Sequence, residues 1–376
     1  MTITKPAARP ACAHFSSGPC AKIPGWSPHL LNTDVLGRSH RSSLGKARLK
    51  RAIELTREVL DVPPTHLIGI VPASDTGAVE MAMWSLLGQR PADMLAWESF
   101  GDGWVSDVMK QLKLKDARKI TAGYGDLPDL AAVNFDHDVV FTWNGTTSGV
   151  RVPDADWIAA DRKGLTICDA TSAAFAQQLD FAKLDVVTFS WQKVLGGEGA
   201  HGVLILGPRA VERLETYAPA WPLPKIFRLT SGGKLIAGIF EGETINTPSM
   251  LCVEDYIAAL EWAWKLGGLK GLMARADANA AVVQKWLDSR DFAANLAKVE
   301  STRSNTSVCL TLKAGGSVPK QMVKLLEAEK AAFDIGSYRD APPGLRIWCG
   351  ATVETSDLEA LMPWLDWAYA QAAAAG

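Results

Sequence analysis

At 376 residues the chain is too long for one ordinary core, and roughly 150 residues per domain implies two. With 48% hydrophobic and 21% charged residues it has a globular balance, and a net charge of -2 excludes a general nucleic-acid binder, whose phosphate affinity needs a basic surface. No apolar run approaches the ~18 residues that span a bilayer, and the opening MTITKPAARPACAHF has no secretory h-region, so a cytoplasmic protein without membrane partners is expected.

Strand-like runs fall at 66–71 (HLIGIV), 93–97 (DMLAW), 138–143 (DVVFTW), 165–169 (LTICD), 186–191 (VVTFSW) and 202–207 (GVLILG). Helical patterns at 77–88, 102–112 and 154–163 lie between several of them, and Ser74, Asp75 and Thr76 signal the start of the first. Strands alternating with helices predict an α/β fold with parallel pairing and helices on the sheet faces. The pattern changes near residue 250: a long helical segment at 253–288 is interrupted at Gly267-Gly268. A strand at 307–312, a helix at 319–331, a strand at 345–350 and a terminal helix from 356 follow, ending in a frayed AQAAAAG. The division is a large unit, 1–252, with an N-terminal arm at 1–20, and a smaller α/β unit, 253–376. The six cysteines are scattered and form no CxxC pair, which argues against a disulfide framework or a zinc site.

The segment TFSWQKVLGGEGAHGVLILG (188–207) carries the strongest chemistry. Lys193 follows an apolar strand and precedes small residues that leave room for a bound aldehyde. Asp169 ends the preceding strand, 24 residues earlier, at the same predicted sheet edge. A pyridine cofactor needs an acid for its ring nitrogen and an amine for its aldehyde, and this pair supplies both. The helix start at Ser74, Asp75 and Thr76 can receive a cofactor phosphate. Phe100 can stack on the ring, though a core aromatic explains it equally well. Gly197 to Gly202 spells GxGxxG, but the residues that follow read as a strand rather than the helix a dinucleotide fingerprint requires.

Beyond Lys193, several segments resemble the phosphoserine aminotransferase family of fold-type-I pyridoxal-phosphate (PLP) enzymes. They are FSSGPC (15–20), Ser39-His40-Arg41-Ser42, Trp143 to Gly149 (WNGTTSG), Gln192-Lys193 and Asn246-Thr247-Pro248-Ser249, matching in order from about residue 15 to 350. The resemblance implies a fold-type-I transferase, with a mostly parallel seven-stranded sheet in the large domain and a smaller C-terminal α/β domain. It implies that Lys193 binds the cofactor aldehyde, Asp169 pairs its ring nitrogen and Thr146 bonds the ring-hydroxyl side. Asp75, Thr76 and Gln192 would hold the phosphate, joined by Asn246 and Thr247 of a neighbouring subunit in a homodimer with shared active sites. His40 and Arg41 would meet the substrate's distal anion and Arg346 its α-carboxylate. The implied reaction is reversible transamination between phosphoserine/3-phosphohydroxypyruvate and 2-oxoglutarate/glutamate, in serine biosynthesis, with pyridoxine biosynthesis as a further role of the family. The sequence departs from the family at Phe100, where tryptophan is common, and in SDTG, where the phosphate turn is more glycine-rich. The competing readings are a serine– or alanine–glyoxylate aminotransferase or a desulfurase of the same fold, and a non-catalytic α/β ligand-binding protein.

Overall fold

The computed structural model describes residues 3–375. Helix α1 (Ser43–Val59) leads into β1 (Leu67–Pro72) and α2 (Ser74–Leu86). Next come β2 (Ala92–Ala96), α3 (Ser99–Ser106) with a π turn at Asp107–Leu112, β3 (Ala117–Thr121) and β4 (Asp138–Thr142). A small ribbon, β5 (Asn144–Gly145) and β6 (Val150–Arg151), precedes β7 (Thr166–Asp169), β8 (Val186–Ser190) and β9 (His201–Leu206). Helix α4 (Pro208–Thr216) and a second ribbon, β10 (Thr230–Ser231) and β11 (Lys234–Leu235), lead to α5 (Met250–Lys265) and α6 (Gly268–Asp288). The chain ends with β12 (Ala293–Asn295), β13 (Ser307–Leu312), α7 (Val318–Ala328), β14 (Gly344–Trp348) and α8 (Thr355–Ala375). Helix α8 runs on through the alanine tail expected to fray.

The main sheet has seven strands in the order β1-β9-β8-β7-β4-β2-β3, and a separate three-stranded sheet is β12-β13-β14. In the main sheet β3, β2, β4, β7 and β8 pair in parallel, whereas β9 is antiparallel to both β8 and β1. The reversal follows from the β8–β9 connection, which holds no helix and is too short for the crossover that parallel neighbours need. Neighbouring residues of one strand point to opposite faces. Val139 and Phe141 of β4 join one hydrophobic cluster while Val140 joins the other, and Val187 and Val186 of β8 divide in the same way. Both faces are thus buried, which explains why these strands read as unbroken apolar runs.

Two elements differ from expectation. Strand β3 was not visible in the pattern because it is an edge strand whose Arg118 and Lys119 are exposed, a charged edge of the kind that blocks further pairing. Residues 154–163 form turns instead of a helix. Ile158 is buried, and Arg162 is forked onto the Asp185 carboxylate at 3.0 and 3.1 Å, so tertiary anchors override the local helical pattern. The N-terminal arm, grouped by sequence with the large unit, bonds to C-terminal elements. Asp357 accepts from Ala11 N at 2.6 Å, Ala13 O from Phe333 N at 2.9 Å, and Phe15 O from Trp348 N at 3.1 Å. No helix among the described residues is long and apolar enough to cross a membrane.

Candidate active site

The carboxyl ends of β4, β7 and β8 and the start of α2 border one cavity of about 340 Å³. This is the edge at which open α/β sheets bind ligands. Asp75, Thr76, Phe100, Thr146, Asp169, Gln192 and Lys193 all line it, so seven of the sequence-predicted residues converge there.

Lys193 follows β8 directly and is 8% exposed. Its Nζ donates to Ser17 O and lies 5.9 Å from the Trp348 ring centroid. The arm segment beside it is held by Cys20 N donating to Gln192 O at 2.9 Å. Gly18 has φ 145°, a backbone conformation that side chains other than glycine rarely adopt, and it lies beside the tip of the Lys193 side chain. Burial pushes the Lys193 pKa down and the Arg346 charge adds to this, while Cys20, Asp169 and Glu98 act in the opposite sense. A lysine so placed is readier than an exposed one to act as a neutral base.

Asp169 is 5% exposed and held on both oxygens: Trp104 Nε1–H donates to Oδ2 at 3.1 Å and Thr171 N–H to Oδ1 at 3.0 Å. Its backbone is fixed by Trp143 N donating to Asp169 O at 2.8 Å. The carboxylate is therefore aimed before any ligand arrives. Thr146 Oγ1 is bonded to Ser172 Oγ, and its carbonyl accepts from Ser307 Oγ at 2.6 Å.

The aromatic residue expected at the ring has a neighbour that the sequence reading did not single out. Phe100 lines the cavity but is 38% exposed, with its ring 5.6 Å from Tyr338 and tilted by 43°. Trp104 lines the same cavity, is 7% exposed and touches Asp169. Two aromatic side chains thus border the cavity, Phe100 at its open side and Trp104 beside Asp169. The two residues stand four apart on α3 and so share a helix face; the sequence offered that periodicity, but it could not say which residue lay deeper.

Asp75 lines the cavity at the α2 start, with its carboxyl among buried polar groups. Its carboxyl is buried beside Asp169 and the hydroxyls of Thr171 and Thr188, and Oδ1 has no hydrogen-bond partner. Burial first, then the Asp169 charge, push its pKa well above the ordinary carboxylate range. An ionised group there would repel a phosphate dianion. The phosphate is better matched by other groups at this edge. Thr76 and Ser74 line the cavity at the α2 start, which has no side-chain cap. Ser190 Oγ, buried and without a partner, lines it as well, and so does the Gln192 side-chain amide, whose –NH2 end is the one that can donate to a phosphate. Unpaired polar atoms at a helix start, a base and an aimed acid together fit a phosphorylated pyridine aldehyde.

Five predicted residues stand outside the cavity lining. Arg346, on β14, is close enough for its charge to act on Lys193 and Cys20, and its guanidinium carbon is 5.6 Å from the Tyr338 ring centroid. His40 and Arg41 border a different hollow of about 120 Å³ with Gly242, Glu243 and Thr244. Asn246 and Thr247, just beyond that loop, are exposed. The cap of α5 is Ser249, whose Oγ accepts from Cys252 N at 3.3 Å.

The loop is tied to the sheet through His201. The His201 ring accepts from Ser249 N at 3.1 Å and packs 4.7 Å from Trp191. Burial pushes its pKa down from 6.5 to about 4. A depressed folded-state value gives stability that is present above pH 6.5 and lost as pH falls toward 4. Thermal melts across this range are expected to show a shallower acid decline in His201→Asn than in the wild type. Parallel declines would mean that His201 does not set the acid limb.

The sequence model of the class-V aminotransferases matches residues 112–343. The chain is 60% identical to the phosphoserine aminotransferase of Methanosarcina barkeri over 97% of this chain and 99% of that protein. Among solved structures it resembles a phosphoserine aminotransferase of Cytophaga hutchinsonii, with a TM-score of 0.82 and 20% identity, covering 94% of this chain and 97% of that one. A PLP-bound phosphoserine aminotransferase of Trichomonas vaginalis gives a TM-score of 0.76 at 18% identity, covering 94% and 99%.

Proposed function

Because the chain belongs to the class-V aminotransferases, and within them to the phosphoserine aminotransferase family, we propose that it reversibly transfers the amino group of phosphoserine to 2-oxoglutarate, with PLP as cofactor. The observation that carries the reading is Lys193 facing Asp169 across one cavity at the sheet edge. Bound PLP supplies an electron sink for the substrate Cα.

The chain's own groups do the rest. Asp169, steadied by Trp104 and Thr171, faces the ring nitrogen and keeps its positive charge favourable. Phe100 or Trp104 would cover a ring face, and Thr146 would bond the ring-hydroxyl side. Thr76, Ser74, Ser190 and Gln192 would hold the phosphate. Lys193 Nζ takes the proton from the substrate Cα and returns it in the reverse half-reaction, helped by the burial that favours its neutral form. Arg346 holds the α-carboxylate by a bidentate bond, which orients the Cα–H bond for removal.

His40 and Arg41 belong to the reading as ligands of the substrate's distal anion. Both flank the 242–244 loop rather than the Lys193 cavity, as do Asn246 and Thr247 farther along it. We take all four to act in the neighbouring subunit's site of a two-fold dimer, where every contact occurs twice. The enzyme then contributes to serine formation, and phosphohydroxythreonine is a further candidate substrate.

A coupled assay with phosphoserine and 2-oxoglutarate, run beside serine, alanine and glyoxylate, tests the reaction. Arg41→Ala is expected to cost ~2–4 kcal/mol in kcat/KM for phosphoserine, the scale of truncating one partner of a buried charge pair. Near-normal turnover would place the phosphate site elsewhere.

Subunit mixing tests the shared site. Lys193→Ala lacks the amine, and Asn246→Ala with Thr247→Ala lacks the loop. In a mixed dimer the second chain's Lys193 meets the first chain's intact loop, restoring one complete site. Activity above both parents is expected after mixing. Heterodimers that gain none at limiting PLP would mean that the loop serves its own subunit.

A further inference from the structure

The cavity holds a second acid for which the reaction gives no use. Asp75 is 7% exposed and lies in the first turn of α2. The chain reaches it through two consecutive non-glycine residues in the left-handed region, Ala73 at φ 66° and Ser74 at φ 54°. Such conformations cost energy and persist where surrounding structure holds them, so the direction of Asp75 is set by the fold. Both backbone N–H groups of this turn donate to Ala200 O, at 3.2 and 3.3 Å, which locks it to the loop after Lys193.

We infer that Asp75 is a neutral carboxylic acid that positions Asp169, donating its O–H to the carboxylate that faces the ring nitrogen. The inference rests on the reading of the cavity as a PLP site. Its first support is charge. The groups around Asp75 are Asp169, the Cys168 thiol and the hydroxyls of Thr171 and Thr188. None is a cation, and the Lys193 amine is turned to Ser17 O. Two adjacent buried carboxylates without a counter-charge cannot both ionise cheaply. Asp169 is the one stabilised as an anion, because Trp104 Nε1–H and Thr171 N–H both donate to it.

The second support is the set of unsatisfied atoms. Asp75 Oδ1, Thr171 Oγ1 and Thr188 Oγ1 are all buried without partners. One neutral acid can satisfy the group: its O–H donates to Asp169, and its carbonyl oxygen, with two lone pairs, accepts from the hydroxyls of Thr171 and Thr188. A hydrogen bond from a neutral acid to a carboxylate is charge-assisted and short-range, and therefore directional. Burial first and then the neighbouring Asp169 favour the protonated form of Asp75, and they outweigh the Thr188 and Thr171 hydroxyls, which act in the opposite sense. The acid thereby braces Asp169 without bringing a second negative charge to a helix start suited to a phosphate.

Asp75→Asn keeps the shape, a donor for Asp169 and an acceptor for the threonines; Asp75→Ala keeps none of them. Two measurements on the full chain separate the outcomes. Infrared spectra of the wild type are expected to contain a protonated-carboxyl C=O band that Asp75→Asn removes. PLP titrated into the apoprotein and followed by its visible band is expected to bind Asp75→Asn as it does the wild type, and Asp75→Ala roughly tenfold more weakly, the scale of one lost hydrogen bond. An unchanged infrared band, an asparagine variant as weak as the alanine variant, or one that binds PLP more tightly than the wild type would each overturn the inference. The last result would mean that an ionised Asp75 had been repelling the phosphate. If Asp75→Ala does not fold, the infrared band and the asparagine titration decide between them. If the wild type itself gives no PLP band, it is the cofactor reading that fails, and the infrared band still reports the state of Asp75.

Discussion

Lys193→Ala is expected to lower phosphoserine transamination by roughly 10⁴-fold, the upper end of what removing a positioned acid–base group costs. The lysine is 8% exposed, follows β8 directly and meets the arm through Ser17 O. Among the described residues no other lysine lines the cavity, so a substitute amine has no path to the reacting carbon. The variant should still bind PLP, because Asp169, Trp104 and the groups at the α2 start are untouched. Borohydride treatment of the PLP-loaded wild type should fix the label on the single peptide that contains Lys193. A label on any other lysine, or an alanine variant with substantial turnover, would sink the assignment.

Asp169→Asn is expected to leave the cofactor bound and to lower kcat by roughly 10²–10³-fold, the cost of losing one preorganised electrostatic partner. Asparagine matches the shape but cannot stabilise a positive ring nitrogen with a full charge. Trp104 Nε1–H and Thr171 N–H, which now donate to Asp169 at 3.1 and 3.0 Å, would face an amide of which only one end accepts. The loss should fall on kcat more than on KM, because the charge matters most when electrons leave the substrate Cα. A variant with near-normal kcat would show that the ring nitrogen is held by another group.

The pairing of these two residues was legible because it depends on short-range order. An apolar run ending in Asp169 and another ending just before Lys193 each bury both faces, and the alternation with helices put their carboxyl ends at one edge. The Gly267-Gly268 break was legible for a related reason: both residues take left-handed conformations, at φ 94° and 66°, where α5 ends and α6 begins. Where local pattern and tertiary anchor competed, the pattern misled. Residues 154–163 carry a helical periodicity, yet buried Ile158 and the Arg162–Asp185 fork hold them as turns. Phe100 and Trp104 share a face of α3, and only the packing of α3 against the sheet shows that the tryptophan reaches Asp169.

The amino-acid sequence by itself determined the α/β alternation, the lysine and the acid, and the family to which their surrounding motifs belong, because each is written in residues close together along the chain. The tertiary structure alone decided the antiparallel β9, the attachment of the arm to C-terminal elements, and the turn of Asp75 toward Asp169. It also decided that His40 and Arg41 stand on the 242–244 loop and away from Lys193. These depend on contacts between residues tens to hundreds of positions apart, as with Phe15 and Trp348. Burial and unpaired polar atoms select such contacts only when the whole chain has closed on itself, and no periodicity of 2 or 3.6 residues records them.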